Sequence, residues 1–257
     1  MDLCFSPTLC PELLLPDALE ICTESGFDQI ELFRTWTESS PAHRDTSVRM
    51  VRERLDAAGV SLTGLNIRNL TGRKADSDQR DLRYNLRQVE WDIHLARALR
   101  LQTVSFKGGA RTDEAQKDLI EGINTLVERI PEIALNLGNH KGNRLQGLAD
   151  YQAILPHVPD QVKVLMDIGH LLSAGENVLA FAESLAGQIG LVHLRDQKGE
   201  NPVPFGEGDL PFADLLEILK GADYDGTLVI ELEQVTWAEH VEAAHTARLF
   251  VEDLLAA

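Results

Sequence analysis

Eight short runs of β-branched and aliphatic residues alternate along this chain with eight segments that carry apolar residues at helical spacing. The runs fall at 3–5, 29–33, 61–65, 103–106, 133–137, 162–166, 189–192 and 227–230. The helical segments fall at 16–25, 47–58, 79–99, 113–130, 148–155, 178–186, 211–220 and 237–255. Gly26 and Gly59 stand just past the last apolar position of the first two helical segments, where a glycine ends a helix cheaply. Pro211 suits a first-turn position. No linker, low-complexity tract or short repeat interrupts the alternation. The pattern predicts one α/β domain over 1–257, a single closed (β/α)8 barrel with an eight-stranded parallel sheet. An open doubly wound sheet is the alternative, but no glycine-rich phosphate loop follows the first strand.

The polar residues are less evenly spread. Asp167-Ile168-Gly169-His170, His193-Leu194-Arg195-Asp196 and Glu231-Leu232-Glu233 close the last three runs. In a parallel barrel the carboxyl ends of the strands converge on one face, where sites are built. Carboxylate oxygen and imidazole nitrogen together suit Mn²⁺, Mg²⁺, Co²⁺ or Zn²⁺. Asp167, His193 and Glu231 are therefore candidate ligands of a divalent metal ion.

With 44% hydrophobic residues among 257, the chain has enough apolar material for a sizeable core. A formal net charge of −17 argues against a nucleic-acid backbone or an anionic membrane surface as partner. Cys4, Cys10 and Cys22 form no CxxC pair and read as reduced thiols. No basic region precedes an apolar stretch at the start, and no apolar run approaches the roughly 20 residues of a membrane span. A cytoplasmic protein is expected; a homo-oligomer is compatible with the sequence.

From Asp167 onward the chain resembles the xylose isomerase-like TIM-barrel family of sugar isomerases, epimerases and dehydratases. The resemblance rests on Leu165-Met166-Asp167-Ile168-Gly169-His170, Val192-His193-Leu194-Arg195-Asp196, Phe205-Gly206-Glu207-Gly208-Asp209 and Tyr224-Asp225-Gly226-Thr227-Leu228-Val229-Ile230-Glu231. It implies one divalent ion held by side chains at the ends of the fifth to eighth strands, with Asp167, His193 and Glu231 in the last three places. The fifth-strand ligand should be a Glu in a Leu-Glu-Asn-His run. Here the run is Leu137-Gly138-Asn139-His140, so the expected carboxylate is Gly138 and the ion is expected to bind weakly or not at all.

The same resemblance implies metal-assisted proton transfer at the carbon next to a carbonyl of a small polyhydroxylated compound. Glu231 and His170 are the candidate catalytic groups. Lys107, Arg144, His140 and Asp196 are candidate contacts to a carbohydrate-like substrate, with Asp196 alternatively orienting His193. Arg68 is a further candidate for an anionic group, Glu31 for a hydroxyl or for a surface ion pair with Arg34, and Trp36 and Trp237 for the mouth or for simple packing. A dehydratase or lyase of the same family, or a catalytically impaired sugar-binding or partner-subunit module, is the alternative that Gly138 keeps open. Nucleic-acid repair is disfavoured by the charge and by the lack of the extra His and Asp ligands of a trinuclear site.

Overall fold

The computed structural model of the protein describes residues 1–34, 37–42, 46–72 and 81–257. Its eight parallel barrel strands are β1 (Asp2–Phe5), β2 (Gln29–Phe33), β3 (Ser61–Asn66), β4 (Thr103–Lys107), β5 (Ala134–Gly138), β6 (Val162–Asp167), β7 (Ile189–Leu194) and β8 (Thr227–Ile230). Each strand lies beside its sequence neighbours, and β1 closes the ring between β8 and β2. Leu3 sits opposite Leu228 on one side and Phe5 opposite Ile30 on the other. The closed barrel predicted from the alternation is the observed fold, and the open sheet is excluded.

The outer layer is α1 (Leu15–Glu24), α2 (Val48–Ala58), α3 (Leu82–Ala98), α4 (Asp113–Arg129), α5 (Leu148–Ile154), α6 (Ile168–Ser173), α7 (Val178–Leu185), α8 (Phe212–Gly221) and α9 (His240–Ala256). Side-chain caps set several of the starts. Ser47, Asp81, Thr112 and Asn177 each accept a hydrogen bond from a backbone N–H three residues on, satisfying a donor the helix cannot. Ser47 is thus the cap of α2 rather than its first turn, and α3 begins at Leu82. Residues 79 and 80, the 73–77 part of the loop after β3, and Trp36 lie outside the described residues.

Two elements went unread in the sequence. α6 follows β6 at once, because Asp167 both ends the strand and caps the helix. A two-stranded antiparallel ribbon pairs Gln197–Lys198 with Asn201–Pro202 beyond β7. The main core lies between strands and helices. Inside the barrel, Cys4, Leu165, Leu191 and Val229 form a small separate apolar cluster. It is a floor under the polar groups at the carboxyl end. All three cysteines are free and buried.

Gly59 ends α2 with φ of 69°, and a Cβ there would meet nothing within 4 Å. Only backbone strain opposes a side chain at this point. Gly59→Ala should therefore cost about 1 kcal/mol of unfolding free energy in a denaturant titration. Gly187→Ala, equally unobstructed and without a positive φ, should stay near wild type.

Candidate metal centre at the barrel mouth

The site starts from a side chain that imitates backbone. Asn139, just past β5 and fully buried, donates from Nδ2 to the Asp167 carbonyl at 2.9 Å and accepts from the Asp167 N–H at 2.8 Å. This reciprocal pair prolongs the β5–β6 ladder by one step and fixes where Asp167 stands. Tyr151 of α5 secures the same strand end, donating its buried hydroxyl to the Leu137 carbonyl at 2.7 Å. On the other side the Glu231 N–H donates to the Leu194 carbonyl at 2.8 Å, carrying the β7–β8 pairing past Ile230.

Asp167, His193 and Glu231 are all buried, and one donor atom from each lies within 4.8 Å of the other two. His193 turns Nδ1 towards Glu231 Oε2 at 3.6 Å and Nε2 towards Glu31 Oε2 at 2.8 Å. The second contact is close but badly angled, an ion pair rather than an aligned hydrogen bond. Burial opposes a charged imidazole, yet Glu31 and Glu231 outweigh it and push His193 up to about 10. A metal-bound His193 would have to give up that proton.

Of the two expectations for Glu31, the surface pair with Arg34 is excluded. Glu31 is fully buried against His193. Arg34 and Arg68 both bind Asp92, at 2.6 and 3.0 Å, and Arg68 also reaches Gln88. Arg68 is therefore held in a structural network. Position 31 alternates into the barrel on a strand of five residues, a parity the sequence contains once the strand is known.

Arg195 is a surprise. Its guanidinium lies among three carboxylates, 2.6 Å from Glu231 Oε2, 3.5 Å from Asp167 Oδ2 and 3.2 Å from Glu233 Oε2. Burial penalises the anions, but Arg195 holds Glu231 well below the usual carboxylate range, assisted by His193, and Asp167 lower than normal, assisted by His170. Glu233, less buried at the rim, is raised by its own desolvation and by the Glu231 charge. The sequence assigns neither Arg195 nor Glu233 a role beyond its motif.

The expected substrate groups divide. The His170 and His140 rings lie against each other at a tilt of 42° with centroids 3.8 Å apart, and His170 Nε2 lies 3.6 Å from Asp167 Oδ2. Burial pushes His170 down to about 4 despite Asp167, and burial with the nearby Lys107 charge lowers His140. Both are neutral at pH 7. Lys107 runs beside Gly138, where its Cγ would meet an added Cβ at 3.6 Å.

Arg144 and Asp196 do other work. Arg144 is clamped to Asp150 at 2.6 Å, and Arg111 binds the same carboxylate at 2.9 Å. Asp196 does not orient His193. It accepts from the N–H groups of Gln197, Gly206 and Gly208, tying down the Phe205–Asp209 motif after β7. A loop this tightly turned leaves its amides unsatisfied unless a carboxylate collects them. Trp237 is part-buried and packs on the core.

A family model described as the xylose isomerase-like TIM barrel matches residues 19–253. The chain belongs to that family. Among its relatives, an inosose dehydratase of Bacillus cereus is 28% identical over 166 residues, covering 55% of each chain. A putative hydroxypyruvate isomerase of Streptomyces coelicolor is 27% identical over 248 residues, 87% of each. The chain spans about half the length of the inosose dehydratases it matches. Two solved structures share the fold with TM-scores of 0.81: an L-ribulose 3-epimerase at 18% identity, covering 100% of this chain and 96% of that one, and an IolI protein with a bound zinc atom at 20%, covering 100% and 98%.

The donor set fits a divalent ion held by three side chains. The Asp150 clamp can be tested separately. Burial raises the Asp150 carboxyl, but Arg111, Arg144 and the N–H groups of Gln146 and Gly147 outweigh it and leave a lowered pKa. A depressed folded-state pKa stabilises above the unfolded value of about 3.9 and loses that stabilisation as pH falls through the folded value. Asp150→Asn should therefore lose about 1–2 kcal/mol at pH 7, and the gap to wild type should close below pH of about 4 in chemical unfolding at stepped pH.

Proposed function

We propose that the protein is an enzyme that removes a proton from the carbon beside a carbonyl in a small polyhydroxylated compound, an isomerase or epimerase. The convergence of Asp167, His193 and Glu231 at the barrel mouth carries this reading, and membership of the family supports it. A divalent ion at these three side chains would polarise the substrate carbonyl and stabilise the enediolate charge. Mn²⁺, Mg²⁺, Co²⁺ and Zn²⁺ all suit the donors, and the zinc-containing structural neighbour is in keeping with that.

The chain's own groups supply the rest. His170 is neutral, part-buried and next to Asp167, placed to take up a substrate proton. Glu231, the other carboxylate of the triad, is the second proton-transfer group. Lys107 and His140 border the opening beside Gly138, where a hydroxyl or anionic end of the substrate would lie. Dehydration is the second reading, favoured by the inosose dehydratases among the relatives. Loss of a β-hydroxyl begins with the same proton removal, so the two readings share their first step.

Exchange of that proton tests both at once. Ketoses, inosose and hydroxypyruvate, each incubated with the protein and Mn²⁺ in deuterated water, should be screened by NMR for loss of the α-proton signal. Wild type should exchange at least one of them, and Glu231→Gln should slow that exchange by about 100-fold or more with little change in stability. Silence across the panel with a folded wild type would leave a binding module.

Gly138 provides a second prediction. Its backbone is outside the positive-φ region, and a Cβ there would make ordinary contacts, at 3.6 Å, with Leu165 and Lys107. A side chain is tolerated, so Gly138→Glu can present an oxygen to the ion. Calorimetric titration with Mn²⁺ should show binding at least about tenfold tighter than wild type, equivalent to roughly 1.4 kcal/mol. Equal affinity in the folded variant would mean that position 138 does not face the ion.

A further inference from the structure

Arg195 stands where a metal ion would compete for ligands. One amino group, Nη2, contacts both Glu231 Oε2 at 2.6 Å and Asp167 Oδ2 at 3.5 Å, the two carboxylates of the triad. An ion drawing on those oxygens meets the guanidinium at the same address. A divalent ion and a guanidinium cannot share one pair of oxygens at contact distance without strong repulsion in a dry site.

The placement is built into the chain. Gly169, the first-turn glycine of α6, has no side chain, and a Cβ there would overlap Cγ and Cδ of Arg195. The arginine stem lies directly against Gly169 where a side chain would otherwise stand. The other amino group, Nη1, contacts Glu233 at 3.2 Å, and Glu233 is the more exposed carboxylate of the three. A guanidinium that let go of Asp167 and Glu231 would still have an anchor at the rim. The buried Nε of Arg195 has no hydrogen-bond partner, so the inward pose is not fully satisfied.

We propose that Arg195 is the site's resident cation, bound to Asp167 and Glu231 in the metal-free protein, and that a divalent ion binds only by displacing it towards Glu233. This rests on the reading of Asp167, His193 and Glu231 as a metal triad. It adds that metal affinity is set by an internal competitor as well as by the ligand missing at Gly138. Arg195 is thus a positioning residue: it holds the two carboxylates converged until an ion takes its place.

Calorimetric titration with Mn²⁺ alone, with no substrate present, decides the matter on four versions of the whole chain. Arg195→Met removes the competing charge. Gly169→Ala keeps the charge and every ligand but fills the space the stem occupies, so it guards against a first variant that folds poorly. Both should bind Mn²⁺ at least tenfold more tightly than wild type. Asp167→Asn should bind less tightly than wild type.

Wild type binding as tightly as both folded variants, with affinity lost in Asp167→Asn, would overturn the competition while leaving the triad intact. No binding by wild type, Arg195→Met or Gly169→Ala would overturn the triad reading, and this inference with it. A salt-bridge role unrelated to the metal would lower the melting temperature of Arg195→Met without moving Mn²⁺ affinity, which also counts against the proposal.

Discussion

Four acidic side chains crowd one end of this barrel, and their mutual repulsion is the constraint to which the mouth is built. Glu31, Asp167 and Glu231 are almost fully buried, and Glu233 is partly so. An unpaired buried carboxylate would shed its charge rather than stay ionised in so dry a place. His193 answers Glu31 and Glu231, and Arg195 answers Asp167, Glu231 and Glu233. The two cations bridge the acids into one network, so each carboxylate depends on partners from at least one other strand end. Such a network is no strong source of stability, because desolvation consumes much of the attraction. Its consequence is directional: it keeps anions ready at fixed positions.

That readiness depends on rigid surroundings. Asn139 locks Asp167 to the β5 end through two hydrogen bonds, and Tyr151 holds the same end through the Leu137 carbonyl. Asp167 then spends one oxygen as the cap of α6 and keeps the other for the mouth. Asp196 gathers the loop after β7 so that it does not fall into the opening. A carboxylate that must meet an ion within a few tenths of an ångström needs such outer support as much as it needs its own chemistry.

The barrel was legible because its evidence is local and repeated. Every strand run found in the sequence matches an observed strand to within two residues, and the terminating glycines behave as such at Gly26 and Gly59, with φ of 89° and 69°. The triad was legible because its residues close three successive strands, and strand ends converge in a barrel. What was not legible depends on direction and partners. Arg144 and Asp196 occupy loops at the right end, but whether a loop side chain faces the mouth or its own backbone is settled by turns that carry no periodic signal. Arg195 hid in the same way. The space left by Gly169 accommodates its stem, and that fit is a contact between residues distant in the chain.

Gly138 and Arg195 are best understood together. The resemblance to the family leads to a ligand set with three carboxylates and one imidazole, and this chain supplies two carboxylates and the imidazole. Losing the carboxylate at 138 weakens the pull on a doubly charged ion. It does not free the site of negative charge, because Glu31 and Glu233 remain beside it. A single positive charge then becomes a closer match to Asp167 and Glu231 than it would be with a third ligand carboxylate present. An arginine suits that task better than a lysine, since its planar fork can reach several oxygens at once and stays charged in a buried setting. Removing one anion at the end of β5 and admitting one cation beside Gly169 shift the balance in the same direction, towards a centre that is charge-compensated before any ion arrives.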